Sequence, residues 1–355
     1  MNNATNRNGF TVSLNGNGHQ QNINGLNGSN GHTIVPIIDE TAVNQRRVKD
    51  LQPVYDADFK VTPAYKAHLP DMQNSRANTG SAVTIQHVGI HNFKIPMRVM
   101  TRDDGSQQVH CSVTGTVSLD AFKKGINMSR IMRTFYEYDE SELTPQTLQN
   151  VVYSYLENLE SASARIAIAF DYPLLQDSLR SRLAGYQYYP VVLETMVTAD
   201  NNIRQMIHLD FIYSSACPCS YELSVHANLV RGVAAVPHSQ RSVAKISVEY
   251  GGDFWIEDLV DVARSTLQTE TQVMVKREDE QAFAELNAAN LKFVEDAVRL
   301  LYEGLDADGR ITDFRIFAAH KESLHSHDAI SVLVKGVQGG FDAYLEPFTY
   351  RSMPT

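Results

Sequence analysis

A run rich in Val, Ile and Thr, AVTIQHVGIHNFKIPMRVM (82–100), is followed across the turn sequence RDDGS by a second, QQVHCSVTGTVSLD (107–120). Residues that branch at Cβ and alternate in polarity suit a pleated, half-buried surface, and Asp-Gly at a turn closes a hairpin. This pattern rules out an all-helical chain and commits its first ordered segment to an antiparallel pair. Two helical stretches follow, AFKKGINMSRIMRTFYEY and TPQTLQNVVYSYLENLES, the second opening on Thr-Pro in capping position. Strand character returns in SARIAIAFDYPL (163–174) and GYQYYPVVLETMVT (185–198).

The order of elements then recurs. Strands are expected at 203–216 and 242–252, helices at FWIEDLVDVARSTLQTE (254–270) and at 281–305, and closing strands at ITDFRIFAAH and AISVLVKGV. The recurrence is one of pattern, without evident sequence identity between the halves. The fold expected is α+β: two tandem ββααββ units, with antiparallel sheets carrying helix pairs on one face. Residues 1–66 are expected to form a disordered or extended N-terminal tail, 67–200 the first unit and 201–355 the second. The tail contains NGNGHQQNINGLNGSNGH, which has too few apolar side chains to offset the entropy of ordering it. Open sheet edges invite closure into a barrel by pairing with other subunits, so self-association is expected.

With 355 residues, 43% of them hydrophobic and 20% charged, the chain is ordinary for a globular protein. The formal net charge of −10 argues against nucleic-acid binding while allowing a local basic pocket for a phosphorylated small molecule. No apolar run is long enough to cross a bilayer, and the N-terminus lacks the order of a signal peptide. A cytoplasmic location is expected, without membrane association. Three cysteines cannot pair completely, which fits a reducing compartment.

Two of those cysteines flank one proline in ACPCS (216–220). Pro218 cannot continue the ladder of the preceding strand, so the thiols sit where the backbone turns. Cys111, in mid-strand, reads as a small buried hydrophobe. For Cys217 and Cys219 that reading stands beside a metal-ligand one, since His238 precedes a strand and Glu270 ends a helix. A thiolate, an imidazole and a carboxylate with a fourth position open is the pattern of a catalytic zinc.

At ACPCSYEL, VPHSQRS, TQVMVKREDE, LKFVEDAVRLLYEGL, KGINMSR and KESLHSHDA the chain resembles the type IB GTP cyclohydrolases, bacterial folate-pathway enzymes of the tunnelling fold. The resemblance covers roughly residues 68–345. It implies a homo-oligomer, a tetramer, with active sites between subunits and one divalent metal in each. By this resemblance Cys217, His238 and Glu270 are the metal ligands, and Glu285 anchors the guanine ring by a bidentate contact. Zinc suits the thiolate and imidazole best, with manganese or ferrous iron as alternatives.

The implied reaction is GTP plus water giving formate and 7,8-dihydroneopterin triphosphate. A bound metal makes water acidic enough to attack carbon 8 near neutral pH. Nitrogen 7 must be protonated as the ring opens, and His325 and His327 in HSH are the candidate acids. Lys124, Ser129, Arg130, Gln240 and Arg241 are the candidate triphosphate contacts, with Lys276 and Arg277 weaker. The chain carries Asn127 where the family often has His, and a longer HANLVRGVAA stretch between the CPC and PHSQ segments than some members. The alternatives weighed are a nitrile reductase, a related cyclohydrolase giving a cyclic phosphate, and a non-catalytic, metal-stabilised assembly protein that binds purines or pterins.

Overall fold

The structure, a computed structural model, describes residues 55–70, 80–103 and 105–345. The Asn- and Gly-rich stretch expected to be a tail lies outside the described residues. Two units divide the chain, up to Pro70 and from Asp71 onward. In the first, a short helix α1 (Pro63–Ala67) opens on proline, and the Thr62 hydroxyl accepts from the Tyr65 N–H at 3.1 Å.

In the second unit the hairpin read from sequence forms as β1 (Ile85–Met100) and β2 (Ser106–Leu119). Helix α2 (Met128–Tyr136), a two-residue β3 (Glu142–Leu143) and helix α3 (Pro145–Leu159) follow. Thr144 caps α3, its hydroxyl accepting from Thr147 N at 3.0 Å, as the Thr-Pro pair predicts. Next come β4 (Ala164–Asp177), β5 (Ala184–Val197) and β6 (Ile203–Ala216). Helix α4 (Pro218–Arg231) leads to β7 (Ser239–Tyr250), and α5 (Ile256–Leu267), α6 (Arg277–Ala289) and α7 (Val294–Asp306) precede β8 (Ile311–His320) and β9 (Ala329–Val334).

All nine strands form one sheet in the order β3-β1-β2-β4-β5-β6-β7-β8-β9. The pairings are antiparallel, apart from the short parallel β1–β3 contact. The boundary expected at residue 200 falls in the β5–β6 turn, across which Val197 pairs with Ile203, so both halves share this sheet. Burial alternates along β2 and β7. The covered face meets Leu148, Val151, Val152, Tyr155 and Leu159 of α3, and the apolar stripes of α5 and α7.

Helix α1, at the end of the stretch expected to be a disordered or extended tail, and β3 were not read from the sequence, and two larger elements also differ. The helix expected over 281–305 is two, broken at Asn290–Phe293. There the Lys292 N–H donates to Ala216 O at 3.3 Å, and Asp296 restarts the helix by accepting from Phe293 N at 3.0 Å. Helix α4 was not expected. Pro218 at its first position suits a helix start, and Gly232 at φ +64 ends it, but no residue of α4 is buried, so no apolar stripe marks it.

Candidate functional site

Strand β6 runs buried to Ala216 and delivers Cys217 as the N-terminal cap of α4. The chain returns from α4 to β7 at His238, whose carbonyl accepts from the Cys217 N–H at 3.3 Å. Thiol and imidazole thus stand on adjoining backbone, at the end of the β6–β7 pair where Ala216 faces Ser239. Both residues are half-buried. Cys219 is exposed two positions on, while Cys111 is buried in β2, where burial pushes its thiol up to about 12.

A buried polar floor lies beneath them. His238 Nδ1 is 3.2 Å from Gln240 Oε1 and 3.1 Å from Glu322 Oε2. Gln240 Nε2 reaches Ser215 Oγ at 2.8 Å, and Ser215 Oγ meets Ser242 Oγ at 2.8 Å. Glu322 Oε2 is buried, and its approach to His238 is at ion-pair distance without hydrogen-bonding geometry. Nothing in the sequence singled out Glu322; only the pairing of β7 with β8 brings it to His238.

Lys292 is buried behind the end of β6, its amine donating to Asn290 O at 2.6 Å and Thr269 Oγ1 at 3.2 Å. Burial lowers this amine to about 8. Burial first, and then the Lys292 charge, hold the neighbouring His320 imidazole down to about 4, where it shares a 2.9 Å contact with the Tyr213 hydroxyl.

The expected ligand Glu270 stands elsewhere. It is 4% exposed, opposite Tyr213 in an isolated bridge, and its carboxylate accepts from the Tyr189 hydroxyl and from Arg264 Nε at 2.7 Å. Those bonds occupy both oxygens. Among the described residues no three His, Cys, Asp or Glu side chains form a group fit to hold a metal ion. The donor chemistry nevertheless fits a cation at Cys217 and His238: a thiol and an imidazole are donors that zinc takes, and the Glu322 carboxylate lies 3.1 Å from the His238 ring.

Glu285 lies on α6, exposed and paired with Arg180. His325 and His327 occupy the β8–β9 tip as expected, both exposed, their rings stacked 4.8 Å apart at 12°. Arg130 lines a cavity of about 140 Å³ with Lys123, Gly125, Ile126, Asn127, Leu159 and Glu160. Ser129 donates to Asn127 Oδ1 at 2.7 Å, Lys124 is half-buried nearby, and Arg241 is exposed on β7. Gln240 departs from its expected role: it is 8% exposed and its amide is committed to Ser215 and His238, leaving it no free face for a phosphate.

Sequence comparison matches residues 69–331 to the family described as Type I GTP cyclohydrolase folE2. GTP cyclohydrolase FolE2 of Ruegeria sp. (strain TM1040) is 56% identical over 292 residues, covering 81% of this chain and 79% of that protein. The GTP cyclohydrolase FolE2 of Cereibacter sphaeroides (strain ATCC 17029 / ATH 2.4.9) is 56% identical over 308 residues, 86% of this chain and 85% of that protein. Among solved structures, uricase from Arthrobacter globiformis is similar with a TM-score of 0.45 at 9% identity, covering 78% of this chain and 100% of that one.

Proposed function

Since the chain belongs to the type I GTP cyclohydrolase folE2 family, we propose that it hydrolyses GTP to formate and 7,8-dihydroneopterin triphosphate, the first step of tetrahydrofolate synthesis. The observation that carries the reading is the joining of Cys217 and His238 at one strand end, within the segment matched to that family. The finer assignment is to the bacterial type IB branch, as a cytoplasmic homotetramer of the tunnelling fold. Its chains would each hold two tandem ββααββ units and close into a barrel, with active sites between subunits. The two end strands of the sheet and the uncovered helix α4 support self-association.

Cys217 and His238 are two of the protein donors. When bound, a divalent cation supplies a water acidic enough to attack carbon 8 at neutral pH. Zinc suits these donors, with manganese and ferrous iron as alternatives. The carboxylate donor is Glu270 by expectation, but to reach a cation it would have to leave Arg264 and Tyr189.

The chain's other residues bind and move protons. One of His325 and His327 donates to nitrogen 7 as the imidazole ring opens, and their exposed tip suits contact with a ligand. Arg130, with Lys124, Ser129 and Arg241, holds the triphosphate, and the cavity that Arg130 lines, where Lys123 is paired with Glu160, supports the part given to Arg130. Glu285 anchors guanine only by releasing Arg180.

The test is to incubate metal-loaded protein with GTP and follow formate release and oxidised-pterin fluorescence, beside Cys217→Ala. Both signals are expected, and their loss in the variant. Metal uptake without formate would end the cyclohydrolase reading, leaving a purine- or pterin-binding protein. Chromatography of the product separates the triphosphate from a cyclic phosphate. Metal stoichiometry in Glu270→Gln and Glu322→Gln identifies the carboxylate donor.

A further inference from the structure

Only one ring nitrogen of His238 can meet a cation while the other is held by the protein. Nδ1 lies 3.2 Å from Gln240 Oε1 in hydrogen-bonding geometry. The orientation of that amide is set at its other end, where Nε2 donates to Ser215 Oγ at 2.8 Å and lies 3.5 Å from Glu322 Oε1. A reversed amide would turn its carbonyl oxygen toward the Glu322 carboxylate, acceptor against acceptor, and its NH₂ toward Nδ1. Ser215 is anchored in turn by Ser242 at 2.8 Å, and both serines are buried. The second acceptor near Nδ1, Glu322 Oε2 at 3.1 Å, also favours a proton on that nitrogen.

We infer that Gln240 is a positioning residue. Held by Ser215 and Ser242, it keeps His238 in the Nδ1–H tautomer and turns the Nε2 lone pair toward the cation. Ligating histidines commonly hand their second N–H to such an acceptor, and losing it typically costs 10–100-fold in metal affinity. Gln240 touches neither cation nor substrate in this arrangement. The inference rests on His238 being a metal ligand, and its test separates the two ideas.

The first measurement is a long-range ¹H–¹⁵N spectrum of metal-free, ¹⁵N-labelled full-length protein, with His238 assigned from a His238→Gln variant. A ring protonated at Nδ1 is expected; a ring protonated at Nε2 would overturn the inference whatever the metal does. The second is a Co²⁺ titration followed by thiolate-to-cobalt absorption. Gln240→Met should bind Co²⁺ about 10–100-fold more weakly. Gln240→Glu, which retains an acceptor, should recover most of that loss. Ser215→Ala, which frees the amide without touching His238, should weaken binding by a smaller factor and covers the case in which Gln240→Met does not fold. Unchanged Co²⁺ affinity in folded Gln240→Met and Ser215→Ala would sink the positioning role. Failure of the wild type to take up Co²⁺ would remove the metal reading and with it the role of Nε2.

Discussion

Tyr155 carries a hydroxyl that the structure leaves without a partner, in the core of α3 against the sheet. A buried polar group without a bond costs free energy, so deleting it costs nothing in pairing. Tyr155→Phe is expected to melt at the same temperature as the wild type or a few degrees higher, by calorimetry. A clear drop would mean that the hydroxyl has a partner in solution. His320 gives a pH prediction. Its ordinary value of 6.5 applies to the unfolded chain, and burial with the Lys292 charge lowers it to about 4 in the native state. Between those values the unfolded chain binds the proton and the native one does not. The contribution is therefore complete above about pH 6.5 and is lost as pH falls toward 4, by at most about 3 kcal/mol. Urea melts from pH 7.5 to 4 should show His320→Gln losing less stability than the wild type; parallel losses would refute the assignment. At this scale the sequence was informative where a residue type is rare. Cys217 stood out because the chain has three cysteines, and the HSH pair because its two histidines fall two positions apart. Glu270 and Glu285 were each one of many carboxylates, and their partners Arg264, Tyr189 and Arg180 come from distant positions that spacing does not reveal. Gln240 looked like a phosphate contact because polarity says nothing of burial.

Among the elements, those with a strong periodic pattern were read nearly to the residue, as with β6 at 203–216 and β8 at 311–320. The break between α6 and α7 was hidden because its cause is tertiary: the chain leaves the helix to dock Lys292 on Ala216. Helix α4 was hidden for the opposite reason, since among the described residues it buries no side chain of its own. The packing of α2 and α3 on the sheet depends on Gly115, where an added Cβ would stand 2.9 Å from Ile131 Cγ2 and 2.9 Å from the Tyr155 hydroxyl. Overpacking of this kind typically costs about 1–3 kcal/mol. Gly115→Ala should lower the denaturation midpoint accordingly in urea. Pairing it with Tyr155→Phe should return part of the loss, because one of the two clashing atoms is gone; strictly additive effects would exclude that contact as the cause.

For the whole molecule, the fold class was legible because hairpins and helix pairs follow one another along the chain. Its assembly was not, since an interface needs a partner surface that periodicity does not mark. Leu223, Leu229 and Val230 on α4 are 68%, 78% and 66% exposed in the single chain. If a second copy covers them, Leu229→Asp should reduce the mass measured by light scattering and weaken formate release together. An unchanged mass would place the subunit contact elsewhere.

The hydrogen bond from Cys217 N to His238 O closes the base of the excursion that α4 makes from the sheet. Like a drawstring at the neck of a bag, it separates what lies outside the knot from what lies at it. Residues 221–236 can thereby change in length or composition without respacing the thiol and the imidazole. In this chain that freedom makes the stretch past Gly232 a natural graft site: a foreign hairpin spliced between 233 and 236, clear of Leu223, Leu229 and Val230, should leave Co²⁺ affinity unaltered.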